Sequence, residues 1–317
     1  MQVNIYLDDI NIEDLSLDKF CMNPILFTND FKKYLEKKHL SFSRQVTQAI
    51  RSNAPLLHIK NTTIKSYNVT TPYCGKVQSD TPKDLLSKMV ALIGIIGTYP
   101  ILYEDENDNI IRVVAPRKDS HNESSSQSPF TDLDWHVDAA YRPMSKDAML
   151  SPMPDYLVFG VINQGQEQLP ITYVALENVI KELKPDDLAI GLRPEFTVLS
   201  ADSFKDRVIS KNVSLLLKGD DGLFYNRITL QNTIPQTERA EYFLQKIRSI
   251  LDKPCIRNVV NVEVGDVVIL NNKTTLHKRD SYEPKWNGTD RYFIRIYSVK
   301  DLNQGILSNA DKPWEWR

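Results

Sequence analysis

A chain of 317 residues, 41% hydrophobic and 25% charged, can bury a sizeable core and fits one large globular domain or a domain with appendages. Lysine and arginine number 39 against 41 acidic residues, and a net charge of −2 leaves no polybasic footprint. Nucleic acid and anionic membranes are therefore poor candidates for the main partner, and a small molecule fits better. The three cysteines, Cys21, Cys74 and Cys255, are widely spaced and form neither a disulfide framework nor a paired zinc spacing. The acidic start "MQVNIYLDDINIEDL" is unlike a signal peptide, and apolar runs such as "MVALIGIIG" (89–97) are too short to span a bilayer. The expectation is a soluble, cytoplasmic protein.

The front of the chain reads as mostly helical. "NDFKKYLEKKHLSFSRQVTQAIRS" (29–52) and "TPKDLLSKMVALIGIIG" (81–97) carry apolar residues at helical spacing, the second opening on Thr81 as N-cap with Pro82 at the first helical position. "PLLHIKN" (55–61) and "NIIRVVAP" (109–116) read as strands. Residues 117–132, "RKDSHNESSSQSPFTD", are polar and aperiodic, which predicts a mobile surface loop running into the next segment and well placed to be a lid. From residue 133 on, "DYLVFGVIN", "ITYVAL", "RPEFTVLS", "NVSLLLKG", "LFYNRITL", "IRNVVNVEVGDVVILNN" and "RYFIRIYSV" are strand-like, and only "LENVIKELKPDDLAIG" and "TERAEYFLQKIRSILD" read as helices. That pattern implies a β-sandwich or barrel core.

In "LDWHVDAAYRP" (133–143), His136 and Asp138 are two apart in an extended stretch, so their side chains share a face and can converge on a metal ion; an ordinary hydrogen-bonded pair at a strand end is the plainer alternative. "VEVGDVVILNNKTTLHKRD" (262–280) delivers His277 through the polar exit Asn271-Asn272. Of the five histidines, His39, His58 and His121 sit in a lysine-rich helix, a short strand and the polar loop, where structural or solvated roles suffice. Two imidazoles and one carboxylate on one face of an octahedral metal leave open positions suited to Fe(II) and oxygen chemistry. A three-ligand zinc site is the alternative, although the helical H-E-x-x-H spacing is absent. Arg291 and Arg295 lie four apart on a strand, about 13 Å at ~3.3 Å per residue, with Phe293 between them, and need anionic partners if they face the interior.

Over roughly residues 110–300 these segments resemble the Fe(II)/2-oxoglutarate-dependent dioxygenases of the taurine dioxygenase superfamily, clavaminate synthase-like branch. "LDWHVDAAYRP" is similar to its L-x-W-H-x-(E/D) segment and "GDVVILNNKTTLHKRDSYEPKWNGTDRYFIR" to its distal-histidine segment. His277 follows His136 by 141 positions and Arg291 follows His277 by 14, both in keeping with the branch. The resemblance implies a double-stranded β-helix (jelly roll) core decorated by α-helices. It implies His136, Asp138 and His277 as iron ligands, with 2-oxoglutarate and O2 as cosubstrates. Arg291 would pair with the distal carboxylate of 2-oxoglutarate, aided by the hydroxyl of Thr172 in "LPITYV". Arg295 would hold a substrate carboxylate, with Ser126 and Gln127 as lid contacts. Asp138 stands where close members often have Glu, and its presence argues against the halogenase variant, in which a small residue replaces the carboxylate.

The expected organisation is one oxygenase domain over 1–317: a mostly helical front (1–108), a jelly-roll core (109–300) with the lid loop 117–132, and a C-terminal tail (301–317). The expected activity is hydroxylation of an unactivated carbon of a small amino acid or derivative, releasing succinate and CO2. A desaturase or oxidative cyclase on the same fold, or a non-catalytic barrel binding an anionic molecule, are the alternatives. Arg227, in "LFYNRITLQN", would repel a cationic side chain, so the far end of the substrate is expected to be neutral or anionic unless Asp220 and Asp221 turn inward. Oligomeric state is not legible in the sequence.

Overall fold

Long apolar strands and short amphipathic helices alternate through the computed structural model, which describes residues 3–6, 17–106, 109–120, 125–142, 152–201 and 208–317. The elements in its first half are β1 (Val3–Tyr6), α1 (Leu17–Met22), α2 (Pro24–Lys38), α3 (Leu40–Arg51), β2 (Leu56–Lys60), α4 (Lys83–Ile95), β3 (Tyr99–Tyr103), β4 (Ile111–Val114), β5 (Leu133–His136) and β6 (Tyr156–Asn163). There follow β7 (Ile171–Ala175), α5 (Leu176–Lys181), α6 (Pro185–Gly191), β8 (Phe196–Leu199), β9 (Ile209–Val213), β10 (Leu216–Lys218), β11 (Phe224–Asn226) and β12 (Thr233–Pro235). The chain ends with α7 (Glu238–Leu251), β13 (Asn258–Val260), β14 (Val267–Asn271), β15 (Thr275–Arg279), β16 (Tyr292–Val299) and β17 (Glu315–Trp316). The fold is mainly β with helices. Among the described residues no helix is long and apolar enough to cross a membrane.

One eight-stranded sheet runs β1-β2-β14-β6-β16-β3-β17, with β4 also paired to β16. Its central strands are apolar almost throughout because both faces are covered. On β16, Tyr292, Ile294 and Ile296 pack with Leu85, Met89 and Leu35 of the helical front, while Phe293 and Tyr297 belong to a second apolar cluster with Tyr173, Leu276 and Phe243. The sheet is thus a shared wall between a helical layer and an inner layer. Gly160 of β6 lets α4 lie close, since a Cβ there would stand 2.5 Å from Met89 Sδ. A four-stranded sheet, β13-β7-β15-β5, carries the inner layer, with smaller sheets β12-β8-β9 and β10-β11 beside it.

Several expectations are corrected. The stretch 29–52 is two helices that part at His39, whose non-helical dihedrals (φ −132°, ψ 52°) break the rod while both halves keep their 3.6-residue spacing. Thr81 does not cap α4: its hydroxyl donates to Gln78 O, and Pro82 occupies the cap position. The front also contributes β1, β2 and β3 to the main sheet, so it is less purely helical than expected. "LENVIKELKPDDLAIG" forms two short helices because Pro185 starts the second, and "NVSLLLKG" is divided between β9 and β10. The described part of 117–132 is no loose surface loop, for Ser120, Ser125, Gln127 and Ser128 are buried.

Candidate active site

Antiparallel pairing of β15 with β5 sets His277 directly opposite His136. Their rings lie 4.2 Å apart between centroids. His136 ends β5, but His277 sits inside β15 rather than at a strand exit. Asp138 lies in the turn beyond β5, its Oδ1 3.3 Å from His136 Nε2 and 3.5 Å from His277 Nε2. One ligand atom from each of the three lies within 4.8 Å of the others, an arrangement able to hold a metal ion.

Protonation favours the same use. His136 Nδ1 is 2.7 Å from Asp134 O, and since a carbonyl only accepts, the ring proton sits on Nδ1 and the Nε2 lone pair faces Asp138. Burial, and then the neighbouring His136, lower the pKa of His277 and keep its imidazole neutral. Burial disfavours charge on Asp138, but the adjacent Arg295 guanidinium outweighs it and the carboxyl is held well below its ordinary range.

The turn carrying Asp138 is held from two sides. Asn272, fully buried, accepts from Asp138 N (2.9 Å) and donates to Asp138 O (3.0 Å) and Pro154 O (3.1 Å). Arg227, buried behind it, donates to Ala140 O (2.9 and 2.6 Å) and Arg142 O (2.6 Å). Between them Ala139 takes a positive φ of 55°, a strained value for a residue with a Cβ. The strain re-aims the chain immediately after Asp138.

Two pockets open from the triad. In the first, His136 and Asp138 stand with Glu106, Arg112, Thr229, Asn232, Arg295 and Tyr297. Arg295 Nη1 is 2.5 Å from Asp138 Oδ2, its Nη2 is 3.8 Å from Glu106 Oε2, and Tyr297 donates to both acids (3.3 and 3.1 Å). The second pocket runs from His136, Asp138 and His277 past Phe293 and Ile171 to Arg279 and Arg291. Arg291 is 8% exposed and its Nε has no hydrogen-bond partner. Burial, reinforced by the nearby charge of Arg279, pushes its pKa down to about 10, the mark of a guanidinium set to receive an anion.

Of the residues singled out in the sequence, Ser126 lines both pockets. Three others do not reach the site. Thr172 shares the outer face of its sheet with Val259, which is 54% exposed, and strand alternation turns Ile171 into the pocket instead. Gln127 spends its amide on Gly75 O (3.1 Å) and Val113 O (3.0 Å), away from both pockets. Arg227 lines neither pocket and serves the turn behind the site. Asp220 and Asp221 stay in an exposed turn, where Asp221 accepts from Leu223 N and the Tyr225 hydroxyl. His39 marks the helix break, His58 is buried 2.6 Å from Asp266, and His121 lies outside the described residues.

Glu106, Arg112, Arg279, Tyr297 and Asn272 were not singled out. All but Glu106 lie in segments already quoted, Asn272 there only as part of the polar exit before His277, and Tyr297 follows from extending the 291–293–295 alternation by one step. Glu106 comes from a polar connection after β3 with no periodic signal.

The matched sequences agree with this geometry. The chain is 29% identical over 120 residues to L-asparagine oxygenase of Streptomyces coelicolor, a match covering 38% of this chain and 34% of that protein's length. It is 25% identical over 250 residues to clavaminate synthase 2 of Streptomyces clavuligerus, covering 76% of this chain and 72% of that protein. The chain is thus similar in sequence to an asparagine oxygenase and to a clavaminate synthase. No family model matches it. The chain shares its fold with the crystal structure of asparagine oxygenase in complex with Fe(II), 2S,3S-3-hydroxyasparagine and succinate (TM-score 0.79, 17% identity, 99% and 98% of the two chains). The fold is shared too with the non-heme iron oxygenase OrfP in complex with Fe, succinate and (3S)-hydroxy-L-Arg (TM-score 0.73, 15% identity, 96% and 98%).

Proposed function

We propose that this chain is a single-domain, cytoplasmic Fe(II)/2-oxoglutarate-dependent oxygenase on a double-stranded β-helix core, hydroxylating a small amino acid or a derivative of one. The observation that carries the reading is the convergence of His136, Asp138 and His277 beside a buried, unpaired Arg291 on the same inner face. The three side chains fit a divalent iron: both Nε2 atoms face one carboxylate oxygen, and burial keeps the His277 imidazole neutral. Iron held there supplies oxygen activation, driven by oxidative decarboxylation of 2-oxoglutarate to succinate and CO2.

The protein's own contribution is placement. Arg291 offers a planar fork for the distal carboxylate of 2-oxoglutarate. In the other pocket Arg295 and Glu106 present a guanidinium and a carboxylate together, the charge pattern that complements an α-carboxylate and an α-ammonium. Ser126, which lines both pockets, is placed to contact the substrate. Among the described residues the far side of the pocket, Leu199, Ala201, Thr229 and Asn232, has no carboxylate, so the reading keeps a substrate with an uncharged far end. Arg227 no longer carries that argument, since it lies behind the site.

Succinate release across the free L-amino acids, with Fe(II) and 2-oxoglutarate, tests the reading. Coupled turnover with neutral amino acids is expected, and coupling with arginine or lysine alone would overturn the substrate assignment. Replacing His136, Asp138 or His277 by Ala should abolish turnover and the visible band of the anaerobic Fe(II)/2-oxoglutarate complex, with far-UV circular dichroism unchanged. Full activity of His277→Ala at limiting iron would refute the metal site.

A further inference from the structure

The far end of the Arg291 pocket holds a second buried cation. Two residues beyond His277, Arg279 lines the same pocket and is 8% exposed. Its Nη2 donates to Ser128 O (2.6 Å) and Thr131 O (2.7 Å), while Nε and Nη1 have no hydrogen bond. The guanidinium lies 5.5 Å from the Tyr282 ring centroid, and the Tyr282 hydroxyl is buried without a hydrogen-bond partner. Further bonds join the same two segments: Tyr282 N to Pro129 O (2.8 Å) and Ser281 N to Asp132 Oδ1 (2.6 Å). Residues 125–132, which bring Ser126 to the substrate pocket, are therefore fastened to the chain just after β15.

Two guanidiniums facing one low-dielectric pocket repel each other; Asp132 and Asp280 act on Arg279 from outside the pocket, but among the described residues no carboxylate lines the end of the pocket between the two guanidiniums. Burial lowers the pKa of Arg279, as it does that of Arg291. An anion between them would relieve the repulsion and free Arg279 to hold its two carbonyls more firmly.

We propose that Arg279 is a positioning residue that couples occupancy of the Arg291 pocket by a carboxylate to closure of the 125–132 segment over the substrate pocket. The inference rests on the reading of that pocket as the 2-oxoglutarate site. Arg279 hydrogen-bonds to the segment's backbone, while the side chain of Asp132 in the same segment acts on it through charge.

Amide hydrogen exchange in full-length protein tests it, with redox-silent Mn(II) in the metal site, with and without 2-oxoglutarate, alongside calorimetric titration of 2-oxoglutarate. In the wild type, exchange in 125–132 should slow by at least about tenfold on binding. Arg279→Lys should still bind 2-oxoglutarate, within about tenfold of the wild-type affinity, but lose that slowing. If 2-oxoglutarate binds the wild type and leaves 125–132 unchanged, or if Arg279→Lys shows the full slowing, the coupling is wrong and the oxygenase reading stands. If 2-oxoglutarate does not bind metal-loaded wild type, both fall. The wild-type arm decides the matter even if the variant fails to fold.

Discussion

Oδ1 of Asp138 faces the two imidazoles, while Oδ2 is taken by Arg295 and Tyr297, so this one carboxylate is held to a single orientation. Arg295 consequently does more than the substrate contact expected from the sequence. It fixes a proposed iron ligand through one nitrogen and approaches Glu106 with another. Lysine at 295 would keep the charge but lose the planar fork that serves both acids. Arg295→Lys should raise the KM for the amino-acid substrate and also weaken Fe(II) binding by about 10–100-fold, the usual cost of losing a partner that orients a ligand. Arg291→Lys should raise the KM for 2-oxoglutarate at unchanged iron affinity. Iron titrations and initial-rate kinetics on the two variants separate the roles, and an unchanged iron affinity in Arg295→Lys would confine Arg295 to the substrate.

The segment from Asp138 to Arg142 depends on a support outside its own sequence, since Arg227, just beyond β11, holds two of its carbonyls and Asn272, after β14, clamps Asp138. Replacing Arg227 by Met leaves those carbonyls unpaired at about 1–3 kcal/mol each. Arg227→Met should therefore lower the melting temperature by several degrees, at about 2–4 °C per kcal/mol in a chain of this order of size, and weaken iron retention through the loosened turn. Loss of substrate affinity alone, with unchanged melting, would return Arg227 to the pocket. This support also marks where sequence reading stops. The triad and the two arginines of β16 were legible because strand periodicity and short spacings report which face a side chain takes. Thr172 was misjudged by one step of that same periodicity, and a one-residue slip reverses every face. Gln127 and Arg227 look like site residues by type and neighbourhood, but their partners, Val113 and Ala140, are chosen by packing between segments far apart in the chain. Glu106 was invisible for the same reason, being brought to Arg295 only when β3 and β4 pair along one edge of β16.

The shared eight-stranded wall makes the inner layer rigid on one side only. The opposite wall is the four-stranded sheet, and there the proposed metal joins β5 to β15, elements whose histidines are 141 positions apart in the chain and directly opposed in space. An ion bound there closes a long loop and binds the native state selectively, because the unfolded chain rarely gathers the three donors. By mass action a ligand at a hundredfold excess over its Kd stabilises by about 2.7 kcal/mol, or on the order of 5 °C in melting temperature for a chain of this size. Chelator-treated protein should accordingly melt on the order of 5 °C below protein given Mn(II) at that excess. 2-Oxoglutarate should add a further rise only when metal is present, because its chelating end needs the ion while its distal carboxylate needs Arg291. His277→Ala should show neither rise, and Arg291→Lys should keep the first and lose most of the second. A metal-dependent rise of equal size in His277→Ala would mean that the ion binds elsewhere, and the triad would be a metal-free cluster between β5 and β15.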